Sequence, residues 1–526
     1  RIQTHSYREV AEEAAYTWFN RLMAIRIMVK NELVPAVLEY ESDEVRIPLL
    51  VSEARQRRFP QMNEESRQKL EALLNNDALT DEQFAVLIVA YCHSSPIIHK
   101  SFGAISDYTE LLLPSNILAK DGFIDKLNAD EYISDEDYRS PELIGWLYQF
   151  YISERKDEVF AKKSKFEADE IPAATQIFTP NWIVKYMVQN TVGRIYLDNN
   201  PYTDIKKEMQ YLVEPVEPTP ADAIYQFENI HDLTCADLAC GSGHILNECF
   251  DLLYQIYIEE GYNRRKAVED IFRYNLTGID IDTRAKQLAT FALLMKACQK
   301  DASFVDAHCM PRVLDMPVPY AEAMGKTFNT PDEERTFIRS VLSEYIMGGN
   351  AEVLDELTDA VSLMNDAQTL GSIMKFTISE RTRNVIAVRT AEYEQQEVLS
   401  EDIRKILPYM RIILTLTQNY AVLVMNPPYM GGGNMNEVLG KYVKENYENS
   451  KADLFSVFMD LAIDRLKQEG KYGMINMQSW MFLSSFEKLR KKVLDNYQID
   501  SMLHLGPRTF DELSGEVVQN TAFVIS

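Results

Sequence analysis

Hydrophobic and polar positions change period several times along the chain. Apolar residues recur at helical spacing through Ala11–Val29 and Phe84–Ala90, and Pro141 to Tyr148 opens another helix with proline in its first turn. Residues 1–170 are therefore expected to form a helical N-terminal domain. Beyond a polar, lysine-rich connector the pattern turns to short apolar runs, each closed by glycine, proline or acid. These runs are Leu233–Leu238, Asn275–Asp282, Pro311–Asp315, Val422–Met425, Tyr472–Met477, Ile499–Leu505 and Val517–Ile525. Runs this short and rich in β-branched residues predict buried strands, so residues 171–526 are expected to be an α/β domain. The last two are expected to pair antiparallel at the sheet edge. Lys451 to Phe455 opens a helix with Phe458, Leu461, Ala462 and Leu466 on one face, stopped by Gly470. The Glu- and Met-rich region at about 320–415 reads as a helical insertion, since a structureless loop of that length is improbable.

Composition narrows the class. The chain has 526 residues, more than one domain at roughly 150 residues each. Its 46% hydrophobic and 25% charged content is that of an ordinary globular protein. No apolar run approaches the ~20 residues of a membrane span, and no secretory signal is present. The six cysteines show no C-x-x-C spacing, so a reduced, cytoplasmic protein with no membrane partner is expected. The seven scattered histidines form no ligand pattern, and no metal site is expected. The chain opens on Arg and ends in a strand-like run, so it is expected to be a piece of something longer.

The net charge of −26 argues against a chain that grips nucleic acid over its whole surface. Basic clusters stand at Arg55–Arg58, Lys162–Lys165 and Arg490–Lys492, and each is expected to be a solvated helix face before a phosphate track.

Chemistry concentrates at three strand ends. Val422–Met425 stops in Asn426-Pro427-Pro428-Tyr429, because two prolines cannot continue a strand. That holds Asn426 at the carboxyl end of a sheet, where open α/β folds bind ligands. An amide oxygen on Asn426 and the Pro427 carbonyl would accept hydrogen bonds from an exocyclic amine on a flat ring. They would pull its nitrogen towards a tetrahedral shape, with the lone pair aimed at an incoming methyl group. Tyr429 would stack on the ring. No cysteine stands near, and carbon methylation of cytosine would need one. The amino group of cytosine would be served as well as that of adenine.

Asp237-Leu238-Ala239-Cys240-Gly241-Ser242-Gly243-His244 is a glycine loop between a strand and a helix. It lacks a third glycine and a phosphate-binding lysine, so a nucleoside without pyrophosphate is the expected ligand. Asp237 is placed for the ammonium of such a ligand, and Cys240 reads as a small buried residue. Asp280, with Ile281 after it, ends the second strand where a carboxylate holds a ribose diol. Asp282 is an expected N-cap for the following helix, and Asp315 is expected to reach the adenine of the cofactor. Upstream, Phe178-Thr179-Pro180 reads as a helix start with Thr179 as N-cap and Pro180 at the first helical position.

In this order, Phe178-Thr179-Pro180, Asp237 to Gly243, Gly278-Ile279-Asp280 and Asn426 to Tyr429 resemble the gamma-class DNA amino-methyltransferases. Within that class the chain is most similar to the PglX adenine methyltransferases of BREX phage-defence systems. The pointers are Ile144 to Tyr148, the Ala239-Cys240-Gly241-Ser242-Gly243-His244 loop and the insertion ahead of the Asn426 strand. The resemblance implies a Rossmann-like, S-adenosylmethionine-dependent fold with double-stranded DNA, its adenine flipped out, as substrate. It assigns Phe178, Thr179, Pro180, Asp237, Ala239, Gly241, Gly243, Asp280, Ile281 and Asp315 to the cofactor, and Asn426, Pro427, Pro428 and Tyr429 to the target base. Phe510 falls where a second aromatic meets that base. A target-recognition domain is expected downstream and is absent from these residues, and other defence-system proteins are expected partners. Alternatives are the methylase half of a fused restriction-modification enzyme, a protein glutamine methyltransferase, and a cofactor-binding scaffold of a defence complex.

Overall fold

The computed structural model describes residues 7–42, 44–105, 107–129, 132–162, 164–167, 170–176, 178–348, 350–396, 398–507, 509 and 519–526. Contacts divide the chain into two units. One comprises Arg1–Tyr148 with Thr290–Met310, the other Gln149–Ala289 with Pro311–Ser526.

The first unit is helical. Its helix Tyr7–Lys30 buries Leu22, Ile25 and Met28. Arg21 donates to the carbonyls of Phe102 and Gly103, and Trp18 Nε1 to that of Thr109. The expected boundary near 170 differs from this division for a packing reason. Thr290–Met310 groups with the N-terminal helices because Phe291 lies 5.7 Å from Phe102 and Ala307 accepts from Lys100 Nζ at 2.8 Å. From Gln149 on, the helix Leu143–Ala161 counts with the second unit, where Lys156 Nζ donates to the Gln176 carbonyl at 3.0 Å. Among the described residues no helix is long and apolar enough to cross a membrane.

The second unit is built on one seven-stranded sheet. Its strands are β1 (Cys235–Asp237), β2 (Leu276–Asp280), β3 (Val313–Asp315), β4 (Tyr420–Met425), β5 (Leu466–Met477), β6 (Ile499–Pro507) and β7 (Gln519–Ile525). Their order is β3-β2-β1-β4-β5-β7-β6, with β7 antiparallel to both neighbours and the others up to β5 parallel. This is the α/β, Rossmann-like arrangement expected from the sequence. The chain winds from β1 outward to β3, then returns to the other side of β1 as β4. The crevice outside the carboxyl ends of β1 and β4 is thus the topological switch point, where such sheets bind ligands.

The segment between β3 and β4 is helical as expected, with Pro331–Tyr345, Ala351–Leu363, Glu380–Glu394 and Glu401–Leu416 as its main helices. The final strands pair antiparallel at the sheet edge as expected, with β6 outermost and β7 between it and β5. The Phe523 ring of β7 packs against Tyr472 and Trp480, with ring centres 6.2 and 5.2 Å away. One expectation is corrected: the helix Leu454–Arg465 ends before Gly470, which lies within β5. The β4–β5 register shifts there, and a Cβ at Gly470 would lie 2.7 Å from the Ala421 carbonyl oxygen.

Candidate active site

β1 delivers the glycine loop. Asp237, 1% exposed, accepts from the Ala239 N–H at 3.0 Å, and burial pushes its carboxyl well above the usual range. The loop is then tied to β2: Gly241 N–H donates to Asp280 Oδ2 at 2.7 Å, and Cys240 N–H to the Ile279 carbonyl at 2.9 Å. Asp280 Oδ1 accepts from Asp282 N–H at 2.9 Å. Burial raises the Asp280 carboxyl to about 7, while these backbone N–H groups pull it back down. The Ile281 N–H adds to this pull, so three backbone N–H groups favour the ionised carboxylate. Gly243 has φ +86°, and a Cβ there would sit 2.8 Å from Ala289 Cβ. Both the turn and the close helix therefore require glycine. Ala239 and Gly241 are half-buried at the rim.

β3 brings Asp315 into register beside Asp280, and Asp315 pairs with Lys286 Nζ at 3.5 Å. Asp237, Asp280 and Asp315 therefore end three neighbouring strands. Asp282 accepts from Arg284 N–H at 2.9 Å, the cap bond expected of it. Cys240 is buried and burial raises its thiol, as befits a packing residue.

β4 is buried throughout and sets Asn426 just outside the sheet. Leu423 on β4 pairs with Ala236 on β1, so Asn426 stands one strand from the glycine loop, about 5 Å sideways. Asn426 Nδ2 donates to Thr179 Oγ1 at 2.9 Å, which turns the amide oxygen Oδ1 the other way. Thr179 is 4% exposed. It does not cap the next helix as expected. That helix runs Asn181–Val188 with Pro180 at the N-cap and no side-chain cap bond, because it begins one residue later than expected, and the Thr179 hydroxyl meets Asn426 instead. One residue earlier, the Phe178 ring lies 4.3 Å from that of His244, the first residue of the helix after the glycine loop. Phe178-Thr179 thus touches both the glycine loop and Asn426.

Pro427 is buried and Pro428 half-buried. The Tyr429 hydroxyl donates to the Ile475 carbonyl at 3.0 Å and accepts from Asn520 Nδ2 at 3.3 Å. Its ring meets Phe455 edge-on at 6.0 Å, and burial pushes its phenol up. The loop beyond is held by Asp453, whose Oδ1 accepts from the Met430 and Phe455 N–H groups.

Two contributors escaped the sequence reading. Asn520, on β7, clamps the tyrosine. Gly371–Ile373, inside the insertion, returns to the site: Ser372 Oγ donates to the Leu238 carbonyl at 2.5 Å, and a Cβ at Gly371 would lie 3.5 Å from Ile281 Cδ1. The Gly371-Ser372 pair is the only signal, and it reads as an ordinary turn. Phe510 lies outside the described residues. Each basic cluster holds paired cations: Arg55 with Asp77, Arg58 with Glu53, Lys162 with Glu170, Lys492 with Asp460.

Comparison with known proteins meets this geometry. Residues 274–510 match the Eco57I restriction-modification methylase family. The chain is 37% identical to the adenine-specific methyltransferase BrxX of Escherichia coli O9:H4 (strain HS), over 100% of this chain and 45% of that protein. It is 34% identical to the adenine-specific methyltransferase PglX of Lacticaseibacillus casei (strain Zhang), over 98% of this chain and 44% of that one. The chain is thus similar to these two methyltransferases over nearly all of its own length. It spans less than half the length of these two relatives. Among solved structures, the DrdV–DNA complex aligns with 98% of this chain and 41% of its own, at 12% identity and TM-score 0.42.

Proposed function

We propose that this chain is the catalytic part of a site-specific DNA methyltransferase. It moves a methyl group from S-adenosylmethionine to the exocyclic amine of adenine in double-stranded DNA. In the cell it would mark self DNA in a BREX-type phage-defence system, in the cytoplasm. The observation that carries this reading is the convergence at the switch point: Phe178 lies on the glycine-loop histidine while Thr179 holds Asn426.

The residues present suit S-adenosylmethionine. The glycine loop lets the backbone approach a nucleoside, and the buried acids Asp237 and Asp280 offer acceptors to an ammonium and a ribose diol. Ile281, Asp315 and Phe178 would border the adenine side of that ligand, with Ala239, Gly241, Gly243 and Pro180 shaping the rim. The bound cofactor supplies an electrophilic methyl on a sulfonium.

The chain's own residues do the rest. Asn426 Oδ1 and the Pro427 carbonyl accept the two amine hydrogens and orient the nitrogen lone pair. Pro428 stiffens the turn. Tyr429, its hydroxyl clamped by Ile475 and Asn520, presents a fixed ring for the base to stack on. As the nitrogen gains the methyl it sheds a proton, for which the two oxygens are the first acceptors.

Mass spectrometry of nucleosides, after incubating duplex DNA with the protein and trideuteromethyl-labelled cofactor, tests this. Labelled N6-methyladenine is expected. Label in N4-methylcytosine would reassign the base, and label only in protein would overturn the DNA reading.

A further inference from the structure

β5 ends at Met477, on the strand beside β4, and the segment after it leads into the helix Glu487–Asn496. Both ends of that segment are anchored. Trp480 is buried 5.2 Å from Phe523, and its indole N–H donates to Thr521 Oγ1 at 3.3 Å. Phe486 is buried 5.3 Å from Phe455, the ring that meets Tyr429. The Arg490 guanidinium donates to the carbonyls of Trp480 at 2.8 Å and Leu483 at 2.6 Å. Between these anchors stand Phe482 and Leu483, 67% and 53% exposed. Two adjacent large apolar side chains, held in solvent on a braced turn next to the site, mark a contact surface.

Local charge selects the occupant. In a chain of net charge −26, the first turns of the helix behind the pair carry Lys488, Arg490, Lys491 and Lys492 against Glu487. Lys488 and Lys492 pair with Glu448 and Asp460, while Lys491 is exposed. Apolar tips beside a local excess of cations suit stacked bases flanked by phosphates. A base that reaches Tyr429 must leave its stack, and the gap it leaves favours an apolar side chain.

We propose that Phe482 and Leu483 form a wedge that enters the duplex at the target base pair and fills the place of the extruded nucleotide, with Lys491 on a flanking phosphate. This rests on the DNA-methyltransferase reading.

The test is the double variant Phe482→Ser, Leu483→Ser in the intact enzyme. It is assayed on a matched duplex and on the same duplex with a mismatch opposite the target adenine, where extrusion is easier. On the matched duplex kcat/KM should fall about 10- to 100-fold, the equivalent of burying one large apolar side chain or two partly. The mismatch should restore most of it. Fluorescence of 2-aminopurine at the target position should rise with wild type and rise less with the variant, while the melting temperature and cofactor Kd stay unchanged. Equal losses on both duplexes, as expected if the pair contacts another protein, or no loss on either, overturn the wedge. If wild type methylates neither duplex, the methyltransferase reading falls and takes the wedge with it.

Discussion

Thr179→Val removes one oxygen from the site and little else. Valine keeps the shape of threonine, and the position is 4% exposed, so the fold should tolerate it. What disappears is the acceptor of the 2.9 Å bond from Asn426 Nδ2. A neutral hydrogen bond contributes about 0.5–1.5 kcal/mol net, and a buried donor left unpaired costs about 1–3 kcal/mol. The bond also determines which way the amide faces. Without it, a smaller share of the enzyme presents Oδ1 to the acceptor amine. At about 1.4 kcal/mol per decade, 1–3 kcal/mol corresponds to a fall in kcat of about 5- to 150-fold. The Kd for S-adenosylmethionine should stay within about twofold, since Asp237 and Asp280 are untouched. Thr179→Ser keeps the oxygen and should keep most of the activity. The assay is transfer of tritiated methyl to DNA at saturating cofactor and DNA, paired with calorimetric titration of the cofactor. An unchanged kcat would refute the reasoning. So would a loss confined to cofactor Kd, which would make Thr179 a cofactor ligand only.

Asp280 should make cofactor binding depend on pH. Burial pushes its carboxyl up to about 7 against 3.8 ordinarily. This raised value means the stability it contributes is present below about 4 and lost as pH rises through 7. Ligand hydroxyls donate to the ionised form, so affinity should fall up to about tenfold per pH unit below 7, with proton release on binding. Calorimetry from pH 8 to 6 reads this, and Asp280→Asn should flatten the slope. Gly243→Ala forces a side chain to φ +86° and to 2.8 Å from Ala289 Cβ. It should lower stability by about 1–3 kcal/mol in denaturant titration, and an unchanged midpoint would contradict the packing described.

Much of this site is legible in the sequence because its residues sit where a strand must stop. Asp237, Asp280 and Asn426 are each marked by an apolar run ending in glycine, acid or proline, and the structure puts all three at the carboxyl edge. Long-range contacts are less legible. Thr179-Pro180 reads as a local cap, and only the fold brings the hydroxyl to Asn426. Thr290–Met310 continues the helix Thr283–Lys300, so no break in pattern announces that it packs with the N-terminal helices. Gly371-Ser372 looks like any turn between helices.

The amide of Asn426 is the group on which the proposed chemistry turns. Asn426→Ala, compared with wild type for methyl transfer to DNA and for cofactor Kd in the same preparation, tests it most directly. Methyl transfer should drop by about 100-fold or more, the scale of losing a directed hydrogen-bond acceptor in a transition state, with cofactor Kd unchanged. Methylation that persists at the wild-type rate, or a variant that no longer binds the cofactor, would contradict it.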